Sequence, residues 1–152
     1  IIGEHGDAYP DLVAMAHGLG VQHAVAFPGR LSTADKVAAY QRAALLAQAT
    51  IYEGFGVSIA EAMACGLPVV TSPRGAVVEV VGDAGRLVEP DDADGMAREI
   101  AALLDDPAEG TRLGRVGRAR VEANFSHAAH RAGLAQVIAA VLPGWSPPAG
   151  VL

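Results

Sequence analysis

Residues 52–68 read Tyr-Glu-Gly-Phe-Gly-Val-Ser-Ile-Ala-Glu-Ala-Met-Ala-Cys-Gly-Leu-Pro, and this stretch decides the fold we expect. Across residues 57–65 the apolar side chains recur at spacings of three and four, which predicts a helix. Gly66 ends that helix and Pro68 prevents its continuation. Residues 67–70 then read as a buried strand. The stretch therefore predicts a loop, a short helix and a strand in close succession.

The start of this helix has the features of a phosphate-binding site. Gly54 and Gly56 have no Cβ, so a ligand can come close to the main chain. The first N–H groups of a helix have no intrahelical partner and carry the positive end of its dipole. Glu53 precedes the helix and Glu61 lies one turn inside it. A nucleotide diphosphate-sugar offers phosphate oxygens for the N–H groups and hydroxyls for the carboxylates.

Each glutamate also has an ordinary structural interpretation. Ser58-x-x-Glu61 fits a capping box, in which Glu61 only satisfies the start of the helix. Glu53 fits an unremarkable loop carboxylate. Neither residue alone decides between the two interpretations, but the seventeen-residue stretch as a whole favours a ligand site.

Strands alternate with helices along the rest of the chain. We expect strands at residues 23–27, 44–49, 67–71 and 86–89, and the end of one at residues 1–3. We expect helices at residues 11–19, from Ser32 to 43, at 57–65 and 77–81, after the acidic run 91–94, from Pro107, and from Ser126 to 142. This alternation predicts an α/β protein, with a Rossmann-like parallel sheet and helices on both faces. Ligands of such sheets bind beyond the carboxyl ends of the strands, where the loop after residues 44–49 lies.

The composition fits a globular domain and excludes several function classes. Hydrophobic residues make up 51% of the 152, so disorder is not expected. The charge of −6, without a dense basic patch, predicts no nucleic-acid partner, and with no apolar run of eighteen residues a membrane contact is not indicated. The single cysteine, Cys65, excludes an internal disulfide and fits a reducing compartment, so we expect a cytoplasmic protein. We assign one domain to residues 1–142 and an irregular tail, rich in proline and glycine, to residues 143–152.

These motifs resemble the C-terminal, donor-binding domain of retaining glycosyltransferases with the GT-B architecture. The family is the glycosyl transferases group 1, which holds sucrose, mannosyl and N-acetylglucosaminyl transferases. Its motif is a Glu, Gly-Phe-Gly, a second Glu with Ala-Met-Ala, a Gly and a Pro-Val-Val strand, and all of these stand within residues 53–70. The resemblance extends over nearly the whole chain through segments 27–31, 79–85, 87–92 and 124–126. It implies that the chain forms one half of a GT-B fold.

The resemblance implies a transferase that binds a nucleotide diphosphate-sugar donor and transfers the sugar with retention of configuration. Glu53 would be catalytic and lie near the transferred sugar, whereas Glu61 would accept hydrogen bonds from the ribose hydroxyls. The backbone around the sugar and diphosphate would come from Gly54, Phe55, Gly56 and Val57. The base would lie beside the turn of Gly29, Arg30 and Leu31. The resemblance implies no cofactor and no metal-binding Asp-x-Asp, and none occurs in the sequence.

The chain departs from the family pattern in several places. The Arg and Lys that clamp the diphosphate, and the acceptor-binding N-terminal domain, would precede Ile1, so we expect a piece of a larger protein that alone transfers no sugar. Val57-Ser58 replaces the more usual Leu-Pro, and residues 75–78 replace a Gly-Gly-x-Pro turn. A non-catalytic nucleotide-sugar module and a nucleotide-sugar epimerase of the same architecture stay open as alternatives. The base, the sugar, the acceptor and the choice between a covalent and a same-face mechanism are undecided at this point.

Overall fold

The computed structural model describes residues 1–142 and 144–146. The chain divides into two compact units, one from Ile1 to Ala39 and a second that begins at Tyr40. The assignment of residues 1–142 to one domain stays a prediction. Of the expected irregular tail, residues 143 and 147–152 lie outside the described residues.

The first unit contains helix α1, Tyr9–Gly18, and the start of helix α2, Thr33–Arg42. Both helices were expected from the sequence. The Ser32 hydroxyl accepts a hydrogen bond from the Asp35 N–H at 3.2 Å, so Ser32 caps α2 as predicted. In α1 only Ala16 is buried.

The strand predicted at residues 23–27 is wrong. Residues 23–27 form no strand; the nearest pairing is an isolated parallel bridge between Ile2 and Gly29, two residues after the segment, and a ladder requires consecutive pairs. Gly29 has a φ of 73°, a left-handed conformation that interrupts the extended backbone at the point of pairing. The strand end predicted at residues 1–3 is therefore reduced to this single bridge, together with a hydrogen bond from the Gly3 N–H to the Gly29 carbonyl at 3.1 Å.

The second unit is built on a three-stranded parallel sheet. Its strands are β1, Leu46–Gln48, β2, Val69–Thr71, and β3, Gly85–Leu87, in the order β1-β2-β3. Leu46 pairs with Val69, and Val69 with Gly85. The strands predicted at residues 44–49, 67–71 and 86–89 are confirmed, each with tighter bounds.

Within the described residues the second unit contains five further helices, and all were expected from the sequence. They are α3, Val57–Ala64, α4, Val77–Val81, α5, Ala93–Asp105, α6, Pro107–Asn124, and α7, His127–Val141. Side chains cap three of them: Asp92 accepts from Gly95, Asp106 from Glu109 and Ser126 from Ala129. The acidic run at residues 91–94 therefore serves the start of α5, as predicted.

The core lies on both faces of the sheet. Successive residues of a strand point to opposite faces, and Val69 and Val70 of β2 are both fully buried. Val69 belongs to a cluster with residues of α3 and α4, such as Met63 and Val80. Val70 belongs to a separate cluster with Leu103 of α5. The predicted arrangement of helices on both faces of a parallel sheet is confirmed.

Two glycines allow α6 to approach the end of α3 closely. A Cβ on Gly114 would lie 2.0 Å from the carbonyl oxygen of Gly66, and one on Gly117 would lie 3.4 Å from Met63. A side chain at position 114 would therefore separate the two helices. In the described part of the chain, no helix combines the length and apolarity needed to cross a membrane.

Candidate functional site

The loops that follow β1 and β2 meet at the carboxyl edge of the sheet. The Ala76 N–H donates to the Glu53 carbonyl at 3.3 Å, and the Thr50 N–H donates to the Ser72 hydroxyl at 3.4 Å. Ser72 is fully buried, so this junction is part of the folded core. The stretch predicted to carry the site therefore lies at the edge where parallel sheets bind ligands.

Gly75 fixes the main chain of Glu53. Its φ is 58°, and a Cβ at this position would lie 2.0 Å from the Glu53 carbonyl oxygen. Both the left-handed backbone and the close contact require glycine. The main chain at Glu53 is thus held from the loop after β2.

The start of α3 has no side-chain cap. Gly56 is its N-cap residue, in the left-handed conformation with φ 87° and ψ 53°, and the helix begins at Val57. The capping box considered for Ser58 and Glu61 is therefore wrong, because Ser58 is already the second residue of the helix. The Ser58 hydroxyl instead donates to Gln48 Oε1 at 2.6 Å. The first N–H groups of α3 consequently face the site without competition from a capping side chain.

Glu61 lies half-buried on the first turns of α3, beside Tyr40. The Tyr40 hydroxyl is 3.4 Å from Glu61 Oε2 and 3.3 Å from the Ser58 carbonyl oxygen. Burial of the ring, followed by the negative charge of Glu61, raises the pKa of Tyr40 to about 12. Tyr40 therefore stays a neutral hydrogen-bond donor toward Glu61. Nothing in the sequence indicates that Tyr40 of α2 reaches this carboxylate.

Glu53 is half-buried and faces Gln48, the last residue of β1. The Gln48 amide donates to Glu53 Oε2 at 3.5 Å. The Thr71 hydroxyl donates to the Gln48 carbonyl at 2.8 Å and secures the end of β1 against β2. Sequence reasoning missed Gln48; the available signal was a polar residue inside an otherwise apolar strand.

The remaining predicted residues of the motif line its outer surface. Gly54 is exposed, and a Cβ there would meet nothing within 4 Å. Val57 is also exposed. Phe55 packs edge-to-face on Phe125, with ring centroids 5.4 Å apart. This aromatic contact attaches the loop to the residue that ends α6.

The predicted base-flanking turn lies in the first unit. Gly29 has its left-handed conformation there, and Leu31 is half-buried. Arg30 donates to Glu4 at 2.9 Å, in an ion pair whose side chains are both largely exposed. Such an exposed pair contributes little to stability, so Arg30 can exchange partners at small cost.

A cavity of about 360 Å³ opens at the opposite, amino-terminal edge of the sheet. It contains neither glutamate and has no charged side chain in its lining. It therefore lies apart from the two glutamates of the candidate site. Among the residues that the structure describes, no three His, Cys, Asp or Glu side chains come together as metal ligands would.

Comparison with known proteins shows which family the chain matches and which proteins it is similar to. A family model described as glycosyl transferases group 1 matches residues 1–120. An MMP alpha-(1->4)-mannosyltransferase from Mycolicibacterium hassiacum is 40% identical over 111 residues, which are 71% of this chain and 27% of that protein. A glycogen synthase from Mycobacterium tuberculosis is 34% identical over 139 residues, which are 90% of this chain and 34% of that protein. The chain thus spans about a third of the length of these relatives.

Solved structures agree with this match. A sucrose-phosphate synthase from Thermosynechococcus elongatus superposes with a TM-score of 0.81 at 31% identity, over 90% of this chain and 35% of that one. HepE from Anabaena, solved in a complex with UDP, gives a TM-score of 0.80 at 26% identity, over 91% of this chain and 40% of that one. The similarity therefore includes both units of the chain.

Proposed function

Because this chain belongs to the glycosyl transferases group 1 family, we propose that it binds a nucleotide diphosphate-sugar donor for a retaining glycosyltransferase. The predicted family is confirmed, and so is the predicted fold, a parallel α/β sheet like that of the GT-B enzymes. The proposal concerns what the family and the fold leave open, namely the donor and its sugar, the retention of configuration and the acceptor. The acceptor-binding part belongs, in this proposal, to another domain of the full-length protein.

The observation that carries the proposal is the uncapped start of α3 between two carboxylates. Gly56 begins the helix without a side-chain cap, and Glu53 and Glu61 stand before and after this start. Helix N–H groups and the positive end of the dipole bind phosphate oxygens well. HepE from Anabaena has been solved with UDP and with UDP-glucose, which supports a nucleotide diphosphate or its sugar as the kind of ligand that we propose.

In the proposed reaction the two glutamates have separate roles. Glu61 accepts hydrogen bonds from the ribose hydroxyls, with its carboxylate oriented by the neutral Tyr40 hydroxyl. Glu53 faces the transferred sugar, and its main chain is fixed by Gly75. As the glycosidic bond breaks, negative charge grows on the leaving diphosphate, and fixed N–H donors at the start of α3 lower the barrier. We propose that this binding needs no metal ion.

Calorimetric titration of the chain with UDP, GDP and ADP tests the proposal. We expect saturable binding of at least one of these nucleotides at a single site. Absence of binding by all three at millimolar concentration would contradict the proposal. Incubation with UDP-glucose or GDP-mannose, followed by NMR of the sugar, tests the alternative function. We expect the sugar to stay unchanged without an acceptor, whereas an epimerase would convert it.

A further inference from the structure

Polar contacts link the two glutamates of the site through three intervening residues, with the main chain of Ser58 as one step. Glu53 Oε2 is 3.5 Å from Gln48 Nε2, and Gln48 Oε1 is 2.6 Å from the Ser58 hydroxyl. The Ser58 carbonyl oxygen is 3.3 Å from the Tyr40 hydroxyl, which also lies 3.4 Å from Glu61 Oε2. All five residues belong to the second unit. The contacts therefore connect the end of β1 to both sides of the start of α3.

The orientation of the Gln48 amide follows from its two partners. An ionised carboxylate only accepts hydrogen bonds, so the amide must present its NH₂ group to Glu53. Its oxygen is then left to accept from the Ser58 hydroxyl, at the short distance observed. The main chain of Gln48 is held by the hydroxyl of Thr71, which is fully buried. Gln48 is thus fixed at its backbone, its amide oxygen and its amide nitrogen.

We propose that Gln48 and Ser58 are positioning residues that hold the Glu53 carboxylate toward the transferred sugar. The inference rests on the proposed function, because it takes Glu53 to face the sugar of the donor. Neither residue need touch the donor. Ser58 orients the Gln48 amide, and the amide in turn restricts the carboxylate, which is otherwise attached to an exposed loop.

The inference predicts a change in the affinity that the sugar contributes to donor binding, and no change in the affinity for the free nucleotide. Without the Gln48 amide, the Glu53 side chain is free to adopt other rotamers, while the start of α3 and Glu61 are unchanged. The affinity for a nucleotide-sugar, relative to that for the free nucleotide, should fall by about two- to tenfold, the effect of one ordinary hydrogen bond, because the amide–carboxylate contact is 3.5 Å long. The affinity for the free nucleotide should stay the same.

The test compares UDP with UDP-glucose and GDP with GDP-mannose by calorimetry, using the pair that the wild-type chain binds. The variants are Gln48→Ala, Ser58→Ala and Ser58→Thr, together with Glu53→Ala and the double variant Gln48→Ala/Glu53→Ala. We expect Gln48→Ala and Ser58→Ala to lower only the relative affinity for the nucleotide-sugar, and Ser58→Thr to preserve it. Gln48→Ala should cause no further loss once Glu53 is absent. Gln41→Ala, an exposed glutamine of α2, is the matched control and should change neither affinity.

Four results would overturn the inference, and the first three separate it from the proposed function. An equal loss of free-nucleotide affinity in Gln48→Ala would show a merely structural role. An undiminished effect of Gln48→Ala in the Glu53→Ala background would show that Gln48 does not act through Glu53. If Glu53→Ala leaves the relative affinity unchanged, donor binding stands and the positioning role falls. If the wild-type chain binds neither pair, the proposed function fails and the inference fails with it.

Discussion

Ser58 and Ser126 stand near the starts of two helices, α3 and α7, yet only Ser126 caps its helix. Ser126 has an extended backbone, with ψ 159°, and its hydroxyl accepts from the Ala129 N–H at 3.1 Å. Ser58 lies inside α3, because the left-handed Gly56 begins that helix two residues earlier, and its hydroxyl donates to Gln48. The serine at position 126 therefore caps α7. The serine at position 58 bonds to Gln48 instead, and the start of α3 has no side-chain cap.

The difference separates a structural helix start from one that is suited to a ligand. At α7 a hydroxyl satisfies an N–H group that has no partner within the helix. At α3 no side chain does so, and the nearby polar groups contact one another and the two glutamates. In our account a bound diphosphate accepts hydrogen bonds from the N–H groups that have no partner at the uncapped start of α3.

The largest effect is expected for alanine at Gly75, beside the α3 start. Gly75→Ala adds a left-handed alanine and a contact with the Glu53 carbonyl, so the free energy of unfolding should fall by about 2 kcal/mol or more. Nucleotide affinity should fall with it. Gly133→Ala in α7 is the matched control, because a Cβ there meets nothing within 4 Å. It should stabilise the protein by about 0.8–1 kcal/mol. Thermal denaturation of both variants measures the contrast, and equal melting temperatures would contradict it.

A second effect, a loss of stability at alkaline pH, should come from Tyr40, which contacts Glu61 of α3. The pKa of Tyr40 is about 12 in the folded chain and 10.0 in its ordinary state, so the unfolded chain loses this proton first. The contribution of neutral Tyr40 to the free energy of unfolding is therefore fully present below pH 10 and is lost as the pH rises toward 12. The loss should reach about 2 kcal/mol.

Urea unfolding of wild type and Tyr40→Phe at pH 9 and above pH 11 isolates this effect, because the other tyrosines titrate in both proteins. The difference in stability between the two should shrink as the pH rises. A difference that does not depend on pH would contradict the raised pKa of Tyr40.

A smaller effect is expected at the α7 start. Ser126→Ala removes an N-cap, so the free energy of unfolding should fall by about 1 kcal/mol and the melting temperature by about 2–4 °C. Nucleotide affinity should not change, because Ser126 serves only its own helix in our account. A combined loss of stability and affinity would mean that the two helix starts are not separate in function.

No effect is expected from removal of divalent metal ions. In our account the N–H groups at the start of α3 provide the positive potential that the diphosphate requires. Titration with UDP or GDP in the presence and absence of EDTA should give the same affinity. A loss of binding on chelation would replace the helix start with a metal ion as the main phosphate ligand.

The sequence predicted most of the architecture because the relevant signals are local. Apolar spacing, Gly66 and Gly82 after two helices, and capping residues such as Asp92 and Ser126 each act within a few residues. The strand at residues 23–27 failed because its existence depends on a partner strand elsewhere in the chain. Pairing is a long-range property that the segment itself does not encode.

The site was predicted only in part, for a related reason. The loop and both glutamates were visible as a motif, but Gln48 and Tyr40 reach these glutamates from β1 and α2. Tyr40 and Glu61 are 21 residues apart in sequence, so no local pattern joins them. A capping box with Ser58 stayed open as an alternative because the sequence shows a serine three residues before a glutamate. It does not show that Gly56 has already begun the helix.

The central claim is that the α3 start binds a nucleotide, with Glu61 as a ligand and not as a cap. Glu61→Ala, Glu53→Ala and wild type, each measured for melting temperature and for affinity toward free UDP or GDP, test it directly. We predict that Glu61→Ala weakens the nucleotide by roughly ten- to a hundredfold, the effect of a hydrogen bond to a charged group. Glu53→Ala should leave the free nucleotide nearly unaffected, because it faces the sugar. A Glu61→Ala variant that melts earlier but binds the nucleotide as wild type does, or equal affinity losses in both variants, would contradict the account.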